Sequence, residues 1–221
     1  MRIDFNSDTV VVFDLDDTLY AESDYRKSGI MYVKNFVTCL YGENNYQYPL
    51  ALDDLIASDD FIGKIADAYK LPKAIKDSLL WIYRTHKPSI KIRPDVQKVI
   101  VSLEMICKSL VILTDGRSVT QRLKIEALGL TRLPAYISEE FSSEKPSTER
   151  FLKIANRFEC DNYVYIADNP QKDFLAPNSL GWRTIGLRGN QTNIHSQDLD
   201  PLPKDYWPNI WIDSLSDLLI L

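Results

Sequence analysis

An α/β fold, a doubly wound parallel sheet joined by a small helical second domain, is what this 221-residue sequence predicts. Three observations carry it. Short β-rich runs recur, each closed by a polar residue and followed by a helical pattern, and strands alternating with helices build parallel sheets covered on both faces. The runs VVVF, LVIL and YVYIA are apolar almost throughout, as strands buried on both sides must be. About 100 residues separate the first run from the second, far more than the dozen or so that one crossover needs.

The strands are expected at residues 9–13, 110–113, 135–137, 163–167 and 183–187. In the long interval after the first of them, Val33, Phe36, Val37, Leu40 and Tyr41 fall at helical spacing, as do Leu79, Leu80, Ile82 and Tyr83. Residues 42–49 and 87–94 read as breaks. Residues 21–91 therefore form a mainly helical insert on the carboxyl edge of the sheet, and residues 1–20 with 92–221 form the Rossmann-like core. A helix is expected over 147–158, with Pro146 in its first turn. Residues 188–208, polar and holding three prolines, read as a surface loop, and 214–221 as a short segment that packs back.

Composition narrows the function. With 45% hydrophobic and 26% charged residues, 8 Gly and 11 Pro, the chain is globular with a real core. The 26 basic residues against 31 acidic ones give a net charge of -5, a poor footprint for nucleic acid. Uninterrupted apolar runs reach only about five residues, too short to span a membrane. The N-terminus lacks the apolar stretch of a secretory signal, so a cytoplasmic location is expected. Cys39, Cys107 and Cys160 are odd in number and widely spaced, and they read as buried small apolar residues. His86 and His195 do not have zinc-site spacing. There is no GxSxG elbow, phosphate-binding P-loop or GxGxxG turn. The chemistry falls to carboxylates, hydroxyls and lysine.

In such a sheet, ligands bind beyond the carboxyl ends of the strands, near the switch in strand order. The first strand ends in Asp14-Leu15-Asp16-Asp17-Thr18. Extended geometry continued for two residues puts Asp14 and Asp16 on one face and Leu15 in the core. An Asp-rich turn would carry the same letters. A calcium-binding EF-hand would not, because Leu19 stands where glycine is needed and Tyr25 where glutamate is. The second strand ends at Thr114, before Asp115, Gly116 and Arg117, where a hydroxyl and backbone N–H groups at a helix start make either a phosphate cradle or a simple capped turn. Lys145 precedes a helix start, and taken alone it reads as a solvated surface charge. The fourth strand ends at Asp168, with Asn169 as a helix cap, Pro170 as the first helical residue and Asp173 about one turn into the helix.

Taken in order, DLDDT at Asp14, the threonine at Thr114, the lysine at Lys145 and the DxxxxD pair Asp168 and Asp173 resemble the four motifs of the haloacid dehalogenase (HAD) superfamily. The likeness runs over essentially the whole chain, and residues 21–91 match the helical cap that some members carry between the first two motifs. Ala167 departs from it, where many members have glycine. The resemblance implies an Mg²⁺-dependent phosphatase, a phosphoester hydrolase acting on a small phosphorylated metabolite such as a sugar phosphate or nucleotide. It makes Asp14 the nucleophile, forming an aspartyl-phosphate, and Asp16 the general acid and base. Thr114, Asp115 and Lys145 would bind the phosphate. Asp14, the backbone carbonyl of Asp16 and Asp168 would hold the Mg²⁺, with Asn169 and Asp173 beside it or bound to it. The chemistry suits these roles: a carboxylate nearing a phosphate dianion is repelled unless a cation bridges them, and hard oxygen ligands favour Mg²⁺. Crowding would also raise the pKa of one carboxylate enough to carry the proton that Asp16 delivers.

Tyr20, Glu22, Tyr25 and Arg26 follow the nucleophile closely enough to reach a substrate. Eight of the 12 tyrosines lie from Tyr20 to Tyr83, either packing the insert or stacking on a sugar or base. Arg117 contacts the substrate phosphate or caps its helix. A dehalogenase has no use for Asp16 or for Asp168 and Asp173, because halide leaves without a proton or a metal. A phosphomutase of the same superfamily needs the same residues and differs mainly in keeping water away. A receiver-like phosphorylation switch would place its acceptor after the third strand, where Ser138 stands, and would lack the insert. A glycosyltransferase reading of DxD leaves Thr114, Lys145 and Asp168 unexplained. The expected partner is a small phosphorylated molecule, and the sequence does not set the oligomeric state.

Overall fold

A computed structural model describes residues 5–43, 45–189 and 196–219. Expectations that touch 1–4, 190–195 and 220–221, His195 among them, lie outside the described residues. The chain runs β1 (Thr9–Phe13), α1 (Glu22–Tyr41), α2 (Leu52–Ile56), α3 (Phe61–Ala68), α4 (Ile75–Thr85), α5 (Pro94–Ile106), β2 (Ser109–Thr114) and α6 (Ser118–Ala127). It continues through β3 (Ala135–Ile137), α7 (Ser138–Phe141), α8 (Glu149–Phe158), β4 (Asn162–Ala167), α9 (Leu175–Ser179), β5 (Arg183–Leu187) and β6 (Ile210–Ile212).

The six strands form one sheet in the order β3-β2-β1-β4-β5-β6, and every pairing is parallel. The chain steps outward from β1 to β3, then returns to β4 on the other side of β1. That reversal opens a crevice at the carboxyl ends of β1 and β4. Side-chain alternation divides the strands between two cores. Val11, Phe13, Ile112, Val164 and Ile166 pack against Val99, Ile100 and Leu103 of α5 and Ile125 of α6. Val10, Val12, Val111, Leu113 and Tyr165 pack against Phe151 and Ile154 of α8. A third cluster, with Ile30, Val33, Val37, Leu55, Phe61, Ile65 and Leu79, lies wholly between residues 21 and 91. Tyr83 packs against both this cluster and the α5 side of the sheet.

Several boundaries differ from expectation. β6 is a three-residue edge strand, too short after a proline-containing stretch to register as a periodic run. α5 opens with Pro94 at its first position and carries the apolar stripe that covers one sheet face. The helix after Lys145 starts at Glu149, so Pro146 lies before it and not in its first turn. After β4 the chain makes turns and α9 begins only at Leu175, so Pro170 and Asp173 precede the helix. Cys39 lies exposed on α1, and Cys107 and Cys160 are half-buried. No described helix is long and apolar enough to cross a membrane.

Candidate active site

Strand register assembles the site. Phe13 is level with Ile112 of β2 and Ile166 of β4, and the Asp14 N–H donates to the Ile166 carbonyl at 2.9 Å. Asp14 and Asp168 therefore leave adjacent strands side by side, with Thr114 at the end of β2 on the other flank. Leu15 is fully buried, as alternation requires. A cavity of about 110 Å³ opens here, lined by Asp14, Asp16, Glu22, Thr114, Asp115, Asp168 and Lys172. At roughly 30 Å³ per water this is room for three or four waters, the scale of a phosphoryl group with an ion.

Lys145 reaches the cavity floor from the loop before α8. Its Nζ lies 2.7 Å from Asp14 Oδ1, 2.6 Å from Asp173 Oδ1 and 3.2 Å from the Tyr165 hydroxyl. The Tyr165 hydroxyl also lies 3.1 Å from Asp173 Oδ1, and the Asn169 N–H donates to Asp173 Oδ2 at 2.9 Å. Asp173 is thus taken up in holding Lys145 and the turn after β4. Asn169 shapes the same turn, its side-chain oxygen accepting from the Gln171 N–H at 3.0 Å. The Asp115 carboxylate accepts from the Lys145 N–H at 3.2 Å and from the Arg150 guanidinium. Arg150, wholly buried, also donates to the carbonyls of Thr114 at 2.8 Å and Tyr136 at 3.2 Å. One arginine thereby clamps the ends of β2 and β3 to α8.

On the opposite wall, Asp16 accepts from the Tyr20 hydroxyl, from Lys124 Nζ at 2.8 Å and from Gln121 Nε2 at 2.9 Å. Gln121 Nε2 also lies 2.7 Å from Thr114 Oγ1, linking this wall to the phosphate-side hydroxyl. Nearby, the Asp17 carboxylate accepts from the N–H of Glu22, the first residue of α1, at 2.8 Å.

The balance of charge is negative. Burial pushes the Asp14 carboxyl up to about 6, with Lys145 opposing and Asp173 adding to the shift. Burial, then Asp14 and Asp173, push Asp168 up to about 8. Burial, then Asp16, push Glu22 up to about 7. Lys145 loses proton affinity through burial, but Asp14 and Asp173 outweigh this and hold it well above the usual lysine range. Asp16 does not follow the expectation of a raised carboxyl. Burial raises it, but Lys124, Tyr20 and Gln121 together draw it below the usual range.

This donor set suits a hard divalent cation. Carboxylate oxygens of Asp14, Asp168 and Asp173 come within 4.8 Å of one another, near the spacing of about 4 Å across an Mg²⁺ coordination sphere. Asp173 is committed to Lys145, Tyr165 and the Asn169 N–H, which favours Asp14 and Asp168 as the carboxylate pair. Burial among other carboxylates disfavours the charge on both groups, a cost that a cation bound between them would offset.

Of the residues after the nucleophile expected near a substrate, Glu22 lines the cavity and Tyr20 touches Asp16. The others are elsewhere. Tyr25 is buried, its hydroxyl donating to the Tyr83 carbonyl at 3.4 Å. Arg26 donates to the carbonyls of Ile56 at 3.4 Å and Ser58 at 2.5 Å, inside the insert. Arg117 sits at the N-cap position of α6 without a side-chain cap bond, and it pairs at 3.9 Å with Glu139 on the surface. The remaining insert tyrosines include Tyr41 and Tyr46, packed tilted and edge-on against Tyr69 and not among the cavity's lining residues. Sequence reasoning missed Gln121, Lys124, Arg150 and Lys172. The available signal was polarity at positions spaced with the buried residues of a helix: Gln121 lies one turn before Ile125, Lys124 adjoins Ile125, and Arg150 adjoins Phe151.

Residues 11–187 match the family model described as haloacid dehalogenase-like hydrolase. The chain belongs to that family. Two curated relatives span nearly all of it. A glyceraldehyde 3-phosphate phosphatase of Methanopyrus kandleri is 28% identical, with 95% of this chain and 94% of that protein aligned. The protein of the same name from Methanocaldococcus jannaschii is 24% identical over the same shares. Solved HAD structures share the fold. A 2-haloacid dehalogenase from Pseudomonas syringae superposes with a TM-score of 0.61 at 19% identity, covering 96% of this chain and 98% of the other. The HAD hydrolase YfnB of Bacillus subtilis, bound to magnesium, gives 0.62 at 16% identity, covering 97% and 98%.

Proposed function

We propose that this HAD-family chain is an Mg²⁺-dependent phosphatase that hydrolyses a small sugar phosphate through a phosphoryl-aspartate on Asp14. The phosphatase class rests on the family and on phosphatase relatives matched almost end to end. The substrate size rests on those relatives' triose phosphate and on a catalytic cavity of about 110 Å³. The observation that carries the reading is the meeting of Asp14, Asp16, Thr114 and Asp168 at one cavity above the Lys145 ammonium.

In this reading Asp14, Asp168 and the Asp16 carbonyl would hold Mg²⁺, which would supply positive charge to offset that of the phosphoryl oxygens. The Asp14 carboxylate attacks phosphorus as the ester P–O bond breaks. Lys145 and the Thr114 hydroxyl hold the transferring oxygens, where charge stabilisation does most of the catalytic work. Asp16, ionised in the free site, takes up a proton carried in by the substrate monoanion and gives it to the leaving alkoxide. It then takes one from the water that attacks phosphorus and releases phosphate from Asp14. Residues 21–91 act as a cap over the mouth, presenting Tyr20 and Glu22 from the joint between cap and core.

The test is phosphate release from a panel of phosphate monoesters with and without Mg²⁺. We expect turnover with Mg²⁺, strongest on three-carbon sugar phosphates, and a loss of at least about 10³-fold in Asp14→Asn. No release across the panel, or full activity in Asp14→Asn, overturns the proposal.

A further inference from the structure

Lys124 is only 3% exposed, yet it belongs to none of the motifs that define the site. Among the described residues, its ammonium has Asp16 as its hydrogen-bond acceptor, at 2.8 Å, and lies 4.3 Å from the centre of the Tyr25 ring on α1. One turn earlier on α6, Gln121 binds the other oxygen of Asp16 and the Thr114 hydroxyl. α6 is itself tied to the insert, because the Thr120 hydroxyl donates to the Arg84 carbonyl at 2.9 Å. A buried ion pair is weak evidence for stability, since an apolar residue of similar volume often does as well. An apolar residue at 124 would pack against Tyr25 but could not hold a carboxylate.

We infer that Lys124 is the positioning residue of the acid/base, fixing the Asp16 carboxylate between α6 and the first insert helix where it meets the leaving oxygen. The inference rests on the phosphatase reading. When the ester P–O bond breaks, its electron pair goes to the leaving oxygen, and an alkoxide must collect the proton that Asp16 has taken from the incoming substrate monoanion, while a nitrophenolate leaves without one. Misplacing Asp16 therefore slows sugar-phosphate turnover far more than aryl-phosphate turnover, whereas a purely structural lesion slows both alike.

The experiment compares steady-state turnover of glyceraldehyde 3-phosphate and p-nitrophenyl phosphate by wild-type and Lys124→Met protein at saturating Mg²⁺. We expect kcat on the sugar phosphate to fall at least about 30-fold, within the range that general acid catalysis supplies, with KM changed less than about threefold. On the aryl phosphate kcat should fall no more than about threefold. Should Lys124→Met fail to fold, Lys124→Arg keeps the charge but places a wider planar group against Asp16, and the ratio of the two rates should still fall at least about threefold. Equal losses on both substrates, or an unchanged ratio, overturn the inference. A wild-type protein that releases phosphate from neither substrate defeats the phosphatase reading instead.

Discussion

Two buried lysines each hold a carboxylate that lines the cavity, Lys145 on Asp14 and Lys124 on Asp16, and their surroundings differ. Lys145 is enclosed by core groups alone: Asp14, Asp173 and Tyr165, with side chains 1%, 9% and 0% exposed for Lys145, Asp14 and Asp173. Lys124 stands at a border, with Asp16 of the core on one side and Tyr25 of the insert on the other, and its carboxylate partner is 19% exposed. The end that would hold the phosphoryl group in the proposed reading is thus packed against the sheet core. In the proposed reading the leaving-group end is shared with the insert, which would set substrate size and identity. One fold can keep the phosphoryl chemistry and vary the substrate because the two lysines answer to different parts of it.

The comparison breaks most visibly at Lys145. Lys145→Met leaves Asp14 and Asp173 buried without their cation, and urea unfolding should show a loss of about 3–5 kcal/mol together with loss of turnover. A loss under about 1 kcal/mol would mean that the core wall is not held by this lysine. Arg150→Met should cost about 3 kcal/mol in the same assay, because Asp115 and two carbonyls lose a fully buried donor. Mg²⁺ at about 100 times its dissociation constant should stabilise the wild type by about 2.7 kcal/mol, and Asp168→Asn should lose most of that increment at the same concentration. At the border, Lys124→Met should cost only about 1–2 kcal/mol, since Asp16 keeps Tyr20 and Gln121 and some contact with water.

The smallest effect belongs to His86, buried where the insert returns to the core. Burial, opposed by the Tyr83 carbonyl and assisted by Lys124, holds its pKa below the ordinary 6.5. The unfolded chain therefore binds that proton more tightly than the folded one. The stability penalty is absent above pH 6.5 and grows as pH falls below it, by at most about 1.4 kcal/mol per pH unit. His86→Gln should flatten that part of the acid limb in urea midpoints taken between pH 7 and 5, and an unchanged limb would assign the fall to other groups.

Most of the core wall was legible in the sequence. A strand buried on both faces is a short apolar run, and the polar residue that ends it marks the ligand edge, which is how Asp14, Thr114 and Asp168 stood out before any coordinates. The border was less so. Lys124 and Arg150 lie on helices, where a cation turned into the core and one turned to water have the same letter, and only the position of the partner carboxylate tells them apart. Asp16 illustrates the same limit for electrostatics. Its crowding with other acids was visible, but the Lys124 ammonium that reverses the direction of its shift comes from a helix 108 residues away. Tyr25, Arg26 and Arg117 looked accessible by proximity in sequence, and the turn of α1 directs Tyr25 and Arg26 into packing instead.

The central claim is that Asp14 carries the phosphoryl group. Rapid mixing with substrate and Mg²⁺ followed by borohydride reduction converts an acyl phosphate to an alcohol, and peptide mass mapping then locates it. The account predicts modification at residue 14, dependent on substrate and absent in Asp14→Asn. Modification at residue 16 or 168 with none at 14 would contradict it.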